Sequence, residues 1–254
     1  IQTAARKFVQ TEIAPYVAGW EQAGTYVPES VLSRMGDQGY FGLFVPKQMG
    51  GSEIDMVSYA VITEEFAAGD CGICNLMNAS NSPVSTAIRD YGNVTQHQLY
   101  LKPMATGQLR ACFLLTEAEA GSDASAISSR AKRIADGYLL NGSKKFCTGG
   151  KSAHLALVLA VTDPSKGKHG ITAFLVPTDA EGYNVLRLED KLGHRNCDTA
   201  DIELQDVQLS RDQVLGKEGE GYRIALAYLN GGRIGVGAQS VGVARAAFEA
   251  ALAY

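Results

Sequence analysis

The spacing of apolar residues changes twice along this chain, and these changes constrain its fold more than any other feature. Up to about Leu109, apolar side chains recur at helical intervals, and two sets each share one helix face: Ile1, Ala5, Phe8, Val9 and Ile13, then Met56, Tyr59, Ala60, Thr63 and Ala67. From Ala111 to about Ser210, short segments rich in Val, Leu, Ile and Phe lie between turn-forming residues. Helical spacing returns after the segment GKEGEGYRI.

The middle segment contains these strand-like stretches: ACFLLT, SSRAKRIA, GYLLNG, HLALVLAV, GITAFLVP, YNVLRLE and ADIELQDVQL. Alternation within RAKRI and DIELQDVQL indicates strands with one solvated face, which favours an antiparallel sandwich or barrel over a parallel sheet. We predict an α+β multidomain protein. Its parts are an N-terminal helical domain (1–110), a middle antiparallel β barrel or sandwich (111–215) and the first helix of a C-terminal helical bundle (216–254).

The last predicted helix carries apolar residues on one face and glycines between them. The apolar set is Ile234, Ala238, Val241, Ala244, Phe248 and Leu252, and the glycines are Gly231, Gly232, Gly235, Gly237 and Gly242. Glycine lowers helix propensity, so close packing against a neighbouring element is the expected compensation. The helix has no stop signal before Tyr254. We therefore expect a continuation, and a bundle or an oligomer that covers the apolar face.

Composition narrows the possible partners and locations. The chain has 23 Lys and Arg against 27 Asp and Glu, a net charge of -4 and no basic block, which argues against nucleic acid binding. The longest apolar run, Leu155–Val161, is far shorter than the ~20 residues that a membrane-spanning helix requires. Because Ile1 already lies in a helical pattern, we expect any targeting segment to have been removed, and both the bacterial cytoplasm and the mitochondrial matrix stay open.

Cysteine and histidine residues follow neither a disulfide framework nor a metal-site pattern. Five cysteines, an odd number, favour a reducing compartment. Cys71 and Cys74 have the spacing of a redox motif, but no second pair completes a zinc site, and we expect buried or half-buried thiols. The histidines are scattered without ligand spacing, so no metal is expected: His97, His154, His169 and His194.

The stretch LLTEAEAGSDAS, residues 114–125, is the first candidate site. Acid–base catalysis by its carboxylates would require shared burial, which the sequence does not indicate: Glu117, Glu119 and Asp123. Asp123 is more typical of a turn or cap residue. The small residues and hydroxyls around Gly121 and Ser122 favour another interpretation, a backbone cradle for phosphate or pyrophosphate.

The stretch NGSKKFCTGG, residues 141–150, is the second candidate. Phe146 and Thr148 fall on the same side of a strand, where an aromatic plane can stack on a flat ring and a hydroxyl can donate to it. The alternative is a core phenylalanine beside a surface threonine.

Several stretches, taken together and in order, resemble successive blocks of the acyl-CoA dehydrogenase family. They are VPESVLSRMGDQGYFGLFVPKQMGG, AVITEEFAAGDCGICN, LLTEAEAGSD, DGYLLNGSKKFCTGG, KHGITAFLVP, LEDKLGHRNCDTADIELQDVQL and GKEGEGYRIALAYLNGGRIGVGAQSVGVA. The resemblance covers nearly the whole chain. It implies an N-terminal helical domain, a middle β domain and a C-terminal helical bundle, commonly in a homotetramer, with FAD between the last two domains.

The resemblance also implies roles for individual residues. Phe113, Leu115 and Thr116 are expected to face the flavin ring, and Gly121 and Ser122 to lie at its pyrophosphate. Phe146 takes the place of an aromatic residue beside the ring, and Thr148 that of a hydroxyl near its reactive nitrogen. The expected acyl-CoA contacts are Ser122, Asn230 and Arg233. Glu119 stands where a glycine is more usual in the family.

The implied reaction is FAD-dependent α,β-dehydrogenation of a short or branched acyl-CoA to a trans-2-enoyl-CoA. Its acceptor would be electron-transferring flavoprotein. The catalytic base is expected beyond Tyr254, because the position that supplies it in a minority of members is Gly232 here. Two alternatives stay open. One is a flavin oxidase or monooxygenase of the same fold, and the other is a non-catalytic, cofactor-holding subunit of a heteromeric complex.

Overall fold

The computed structural model describes residues 1–254, and its N-terminal part is helical as predicted. The helices are α1 (Gln2–Glu12), α2 (Val17–Ala23), α3 (Glu29–Asp37), α4 (Met56–Gly69), α5 (Cys71–Ala79), α6 (Thr86–Tyr91), α7 (Val94–Gln96) and α8 (Lys102–Ala105). A 3-10 turn (Lys47–Met49) precedes α4, and π-helical turns join α5 to α6 and α7 to α8 at Ser80–Ser85 and His97–Leu101.

Two aspartates start the two central helices of this domain. Asp55 accepts a hydrogen bond from the backbone N–H of Ser58 at 2.7 Å and caps α4. Asp70 accepts one from the N–H of Ile73 at 2.6 Å, which ends α4 and begins α5 one residue later. Each carboxylate satisfies a backbone donor that the first helical turn leaves free. The core beneath these helices contains three buried aromatic rings, those of Phe41, Tyr59 and Phe66. The first helix contributes the buried Ala5 and Val9, and Ile13 follows directly after it.

Eight strands form one sheet after residue 110. They are β1 (Ala111–Leu114), β2 (Arg130–Ile134), β3 (Gly137–Thr148), β4 (Leu155–Val161), β5 (Ile171–Pro177), β6 (Tyr183–Leu188), β7 (Thr199–Ser210) and β8 (Val214–Leu215). The order is β6-β7-β3-β2-β4-β5-β8, with β1 on β4. The predicted fold class is confirmed. Within it, the pairings of β4 with β1 and with β2 are parallel and the others are antiparallel.

Strand β4 is apolar throughout because both of its faces are buried. Leu155, Leu157 and Leu159 pack against the side of the sheet that meets α6, α8 and the start of the last helix. Ala156 and Val158 pack into the other core, among residues of β3, β5 and β7. A strand covered on both faces reads as a continuous apolar run, whereas a half-solvated strand alternates. The helical domain and the sheet are therefore joined through the face of β4 that packs against the helices.

The last helix, α9 (Gly221–Ala253), packs on α4 through its glycines. A Cβ at Gly242 would lie 2.2 Å from the carbonyl oxygen of Glu64, and one at Gly235 would lie 2.7 Å from the Tyr59 hydroxyl. Only glycine fits at such distances. The predicted close packing is therefore present at these two positions, while Gly232 and Gly237 have no atom within 4 Å of an added Cβ.

Most of the apolar set of α9 stays outside this glycine contact, and only Ala238 is half-buried. Ile234, Val241, Phe248 and Leu252 are exposed, and the buried positions in this part of the helix are Gly235, Gln239 and Gly242. The predicted apolar face is thus uncovered within residues 1–254. None of the helices combines the length and the apolar character that crossing a membrane requires.

Candidate functional site

Glu117, the first acid after β1, is buried in an ion pair with Lys144 of β3. Lys144 Nζ lies 2.7 Å from Glu117 Oε1, and the two side chains are 0% and 5% exposed. Burial alone would raise the pKa of the Glu117 carboxyl, but the charge and hydrogen bonds of Lys144, with the donors at Ser128 and Ser129, lower it to about 2. A carboxylate held this firmly in its charged form is a poor proton acceptor, which excludes Glu117 as a catalytic base.

The carboxylate of Glu117 also closes the loop that follows it. Oε2 accepts hydrogen bonds from the backbone N–H and the hydroxyl of Ser128 at 2.6 and 2.8 Å, and Oε1 accepts one from the N–H of Ser129 at 3.0 Å. Asp123 accepts from the N–H of Ser125 at 3.0 Å and caps the 3-10 turn Ala124–Ala126, in agreement with its predicted role as a cap. Glu119 is exposed. The loop is therefore held at its base.

Gly121 and Ser122 lie exposed at the outer part of this loop. An added Cβ at Gly121 would meet nothing within 4 Å. No neighbouring part of the chain therefore requires a glycine here, and open space lies beside the backbone. Such space lets an anionic group approach main-chain N–H donors closely.

Strand β3 carries an aromatic ring that is turned outward. Its pairing with β7 is irregular between Lys144 and Cys147. At this irregularity Phe146 has a φ of +56° and a ring that is 65% exposed. Left-handed backbone at a bulky residue is uncommon and is found mainly where the surroundings or a function impose it. The alternative of a core phenylalanine is wrong, and the exposed ring is free to stack on a planar group.

Hydrogen bonds hold the two candidate segments together. The N–H of Lys145 donates to the carbonyl oxygen of Thr116 at 2.8 Å. Lys144 Nζ donates to the carbonyl oxygen of Leu115 at 3.2 Å as well as to Glu117. Phe113 and Leu115 are half-buried and pack against the core beneath α6 and α8. The structure thus places Leu115 and Thr116 beside the strand that carries Phe146 and Thr148.

A cavity of about 490 Å³ lies between α4, α5 and α9, with Thr148 on its wall. Gly232 and Arg233 of α9 line it, while Asn230 lies outside and accepts a hydrogen bond from Arg233 at 2.9 Å. Of the predicted substrate residues, Arg233 therefore lines the cavity. Asn230 does not line it but is bonded to Arg233. Ser122, Phe146 and the residues of β1 are not part of the wall.

Polar side chains that the sequence reading missed also line this cavity. The Tyr59 hydroxyl donates to Asn78 Oδ1 at 2.9 Å, and Gln239 Nε2 donates to Asn75 Oδ1 at 2.8 Å. Asn75 also contacts Nδ1 of His194 at 2.7 Å, which ties α5 to the KLGHR segment. The signal that could have revealed these positions is the presence of amide side chains inside otherwise apolar helical patterns. They are positioned by helices that lie far apart in the chain.

These features define an α+β protein with an exposed aromatic ring and an open glycine loop on its middle domain, and with a cavity between that domain and the helices. Residues 1–108 match the acyl-CoA dehydrogenase N-terminal domain, and residues 112–207 match the acyl-CoA dehydrogenase middle domain. The chain belongs to the acyl-CoA dehydrogenase family.

Individual relatives agree with this assignment over the whole chain. Caffeyl-CoA reductase-Etf complex subunit CarC of Acetobacterium woodii is 37% identical, with 100% of this chain and 67% of the relative covered. Short/branched chain specific acyl-CoA dehydrogenase of Rattus norvegicus is 36% identical over 100% of this chain and 58% of its own length. The structure of butyryl-CoA dehydrogenase from Megasphaera elsdenii superimposes with a TM-score of 0.96 at 37% identity, covering 100% of this chain and 67% of that one. The chain therefore spans about two thirds or less of these relatives.

Proposed function

We propose that this protein is an FAD-dependent acyl-CoA dehydrogenase that acts on a short or branched acyl-CoA. The junction of the loop after β1 with β3 is the observation that carries the proposal. There the backbone bond from Lys145 to Thr116 joins the strand that carries the exposed Phe146 to the start of the loop that carries Gly121. A flat ring with an anionic tail needs these two features next to each other.

The residues at this junction fit a flavin. The outward ring of Phe146 offers a stacking surface, and Phe113, Leu115 and Thr116 would form the neighbouring wall. Gly121 and Ser122 offer backbone N–H groups and a hydroxyl to the pyrophosphate. When bound, FAD supplies the two-electron acceptor that no side chain offers.

The cavity would hold the acyl group, with Thr148 on the wall that meets the flavin ring. Arg233 would attract the negatively charged CoA part, and Asn230 would orient Arg233 through their hydrogen bond. Ser122 would contact the ligand from the loop side. The volume of about 490 Å³ falls within the usual range for small-molecule sites.

The proton acceptor would come from outside residues 1–254. Glu117 is excluded by its ion pair, and Gly232 brings no side chain to the cavity. We therefore expect a carboxylate in the remainder of the full-length protein. The name of the Acetobacterium woodii relative, a subunit of a reductase-Etf complex, supports electron-transferring flavoprotein as a partner. In the direction of dehydrogenation, that partner would be the electron acceptor. A homotetramer is the expected assembly, which light scattering of the full-length protein tests.

Anaerobic mixing of the purified full-length protein with butyryl-CoA or isobutyryl-CoA tests the reaction. Loss of the oxidised-flavin absorption, followed by slow recovery in air, is the result expected of a dehydrogenase. Rapid recovery with peroxide release would assign an oxidase instead. Bound FAD that no acyl-CoA reduces would assign a cofactor-holding subunit, and a colourless protein that does not take up added FAD would overturn the proposal altogether.

A further inference from the structure

We propose that the buried Lys144–Glu117 ion pair positions the cofactor site. It fixes two parts of that site to β3: the residues expected beside the flavin ring, Leu115 and Thr116, and the loop expected at the pyrophosphate, which carries Gly121 and Ser122. This inference rests on the proposed function. Neither residue is expected to touch the flavin or the substrate. Their effect would pass through the backbone of Leu115, Thr116 and the loop that follows.

Lys144 is a cation with no access to solvent and with every donor in use. Nζ donates to Glu117 Oε1 at 2.7 Å, to the carbonyl oxygen of Leu159 at 2.7 Å and to that of Leu115 at 3.2 Å. An ammonium group carries three donors, so none is left for a ligand. Leu159 belongs to β4 and Lys144 to β3. The Lys144 side chain therefore joins the backbone at Leu115, just after β1, to both of these strands.

Glu117 continues this connection into the loop. Lys144 and Ser129 donate to one of its oxygens, and Ser128 donates twice to the other. Residue 117 and residues 128–129 are the two ends of the loop that holds Gly121 and Ser122. The carboxylate therefore fixes the separation of the loop ends, and with it the place of the exposed glycine relative to β3.

Burial of this pair is better explained by geometry than by stability alone. Replacing a buried ion pair by uncharged residues of similar size is often neutral or stabilising, whereas removing one partner is strongly destabilising. The pair also links four backbone segments through directional hydrogen bonds, which apolar side chains cannot reproduce. Catalytic and binding sites lose function when the loss of such supporting contacts lets their residues shift by about 1 Å.

The test uses the full-length protein and the double variant Lys144→Met with Glu117→Gln, which leaves no unpaired charge in the interior. We expect it to fold, with a melting temperature lowered by the loss of the Lys144 donor at the carbonyl oxygens of Leu115 and Leu159. We also expect its dissociation constant for FAD to rise about tenfold and the absorption shape of the bound flavin to change, because the wall and loop have lost their directional contacts. Unchanged FAD affinity and an unchanged flavin spectrum would overturn the inference.

A control ion pair, less buried than the test pair because Glu29 is 66% exposed, lies before β1 and makes no contact with the loop. Arg110, whose side chain is 8% exposed, makes a bidentate ion pair with Glu29 of α3 at 2.8 and 2.9 Å. Arg110→Met with Glu29→Gln removes the same kinds of charge and should leave FAD affinity and spectrum unchanged. If this control weakens FAD binding as much as the test pair does, the effect is one of general stability and the inference fails.

A milder variant keeps the inference testable should the double variant not fold. Ser128→Ala removes the hydroxyl donor to Glu117 at 2.8 Å from an exposed residue and leaves the ion pair intact. We expect FAD affinity to fall about two- to threefold without loss of the folded state. Wild-type affinity would count against the inference. Failure of the wild type itself to bind FAD would instead contradict the proposed function.

Discussion

Gly235 of α9 lies directly against Tyr59 of α4, so close that an added Cβ would be 2.7 Å from the tyrosine hydroxyl oxygen and 3.3 Å from its ring. The same hydroxyl donates to Asn78 on the wall of the cavity. Packing of the last helix and the shape of the ligand cavity therefore depend on one contact. Substitutions along the glycine side of α9 are expected to change both.

Gly242→Ala should destabilise the protein, because the new methyl group would lie 2.2 Å from the carbonyl oxygen of Glu64. Overpacking of this kind costs about 1–3 kcal/mol. Gly237→Ala is the matched control on the same helix, since nothing lies within 4 Å of its added Cβ. It should stabilise by up to about 1 kcal/mol through helix propensity. Urea unfolding of both variants measures the difference, and equal effects would contradict the packing described here.

Stability should fall as pH drops from about 5 towards 2. Burial would raise the pKa of Glu65, but its bonds to Arg245, Arg6 and Gln2 lower it to about 2. A carboxyl with a depressed folded pKa contributes stability above its unfolded pKa and loses it as pH falls through the folded value. Glu65→Gln should therefore flatten part of the acid limb of a stability–pH curve from denaturant unfolding. A curve parallel to that of the wild type would be evidence against this network.

Phe146→Gly should weaken FAD binding without lowering the stability of the cofactor-free protein. The ring is 65% exposed, so little burial is lost, and glycine relieves the positive φ of this residue. We expect an FAD dissociation constant raised about tenfold, which corresponds to one lost aromatic stacking contact. Leu186→Gly, at a site 56% exposed on β6, is the control that should leave FAD affinity unchanged. Titration of the apoprotein with FAD distinguishes the two.

Arg233→Ala should raise the dissociation constant for an acyl-CoA about tenfold, because a cation on the cavity wall would be lost. Binding of FAD should be unaffected. Arg223→Ala removes a cation from the same helix that pairs with Glu220 and lies outside this cavity. Titration of both variants with butyryl-CoA provides the comparison, and equal losses would show that general charge rather than position attracts the ligand.

Native alkylation should modify Cys71 before any other cysteine. Cys71 is half-buried, whereas the remaining thiols are buried: Cys74, Cys112, Cys147 and Cys197. Burial raises the pKa of Cys147 and of Cys197 to about 12, and only the thiolate reacts. Mass spectrometry after iodoacetamide treatment, with and without denaturant, gives the order of labelling. Rapid native labelling of Cys74 would show that the first turn of α5 opens.

The local pattern of the sequence determined the elements and their order. Periods of two and of three to four residues are written into neighbouring positions, so β4, β7 and α4 could be predicted before any contact was known. The family also followed from the sequence, because its motifs recur as short contiguous blocks, and it is confirmed. The roles assigned to the individual site residues all stay predictions: Phe113, Leu115, Thr116, Gly121, Ser122, Phe146, Thr148, Asn230 and Arg233.

Only the tertiary structure decided which side chains became buried partners. Glu117 looked like one of three loop acids until the fold placed Lys144 beside it. From Gly231 onward, the buried positions of α9 proved to be Gly235, Gln239 and Gly242 rather than Ile234 and Phe248. The physical reason is that burial and pairing depend on contacts between residues far apart in the chain. A period describes one element, whereas the partner of that element is chosen by the packing of the whole fold.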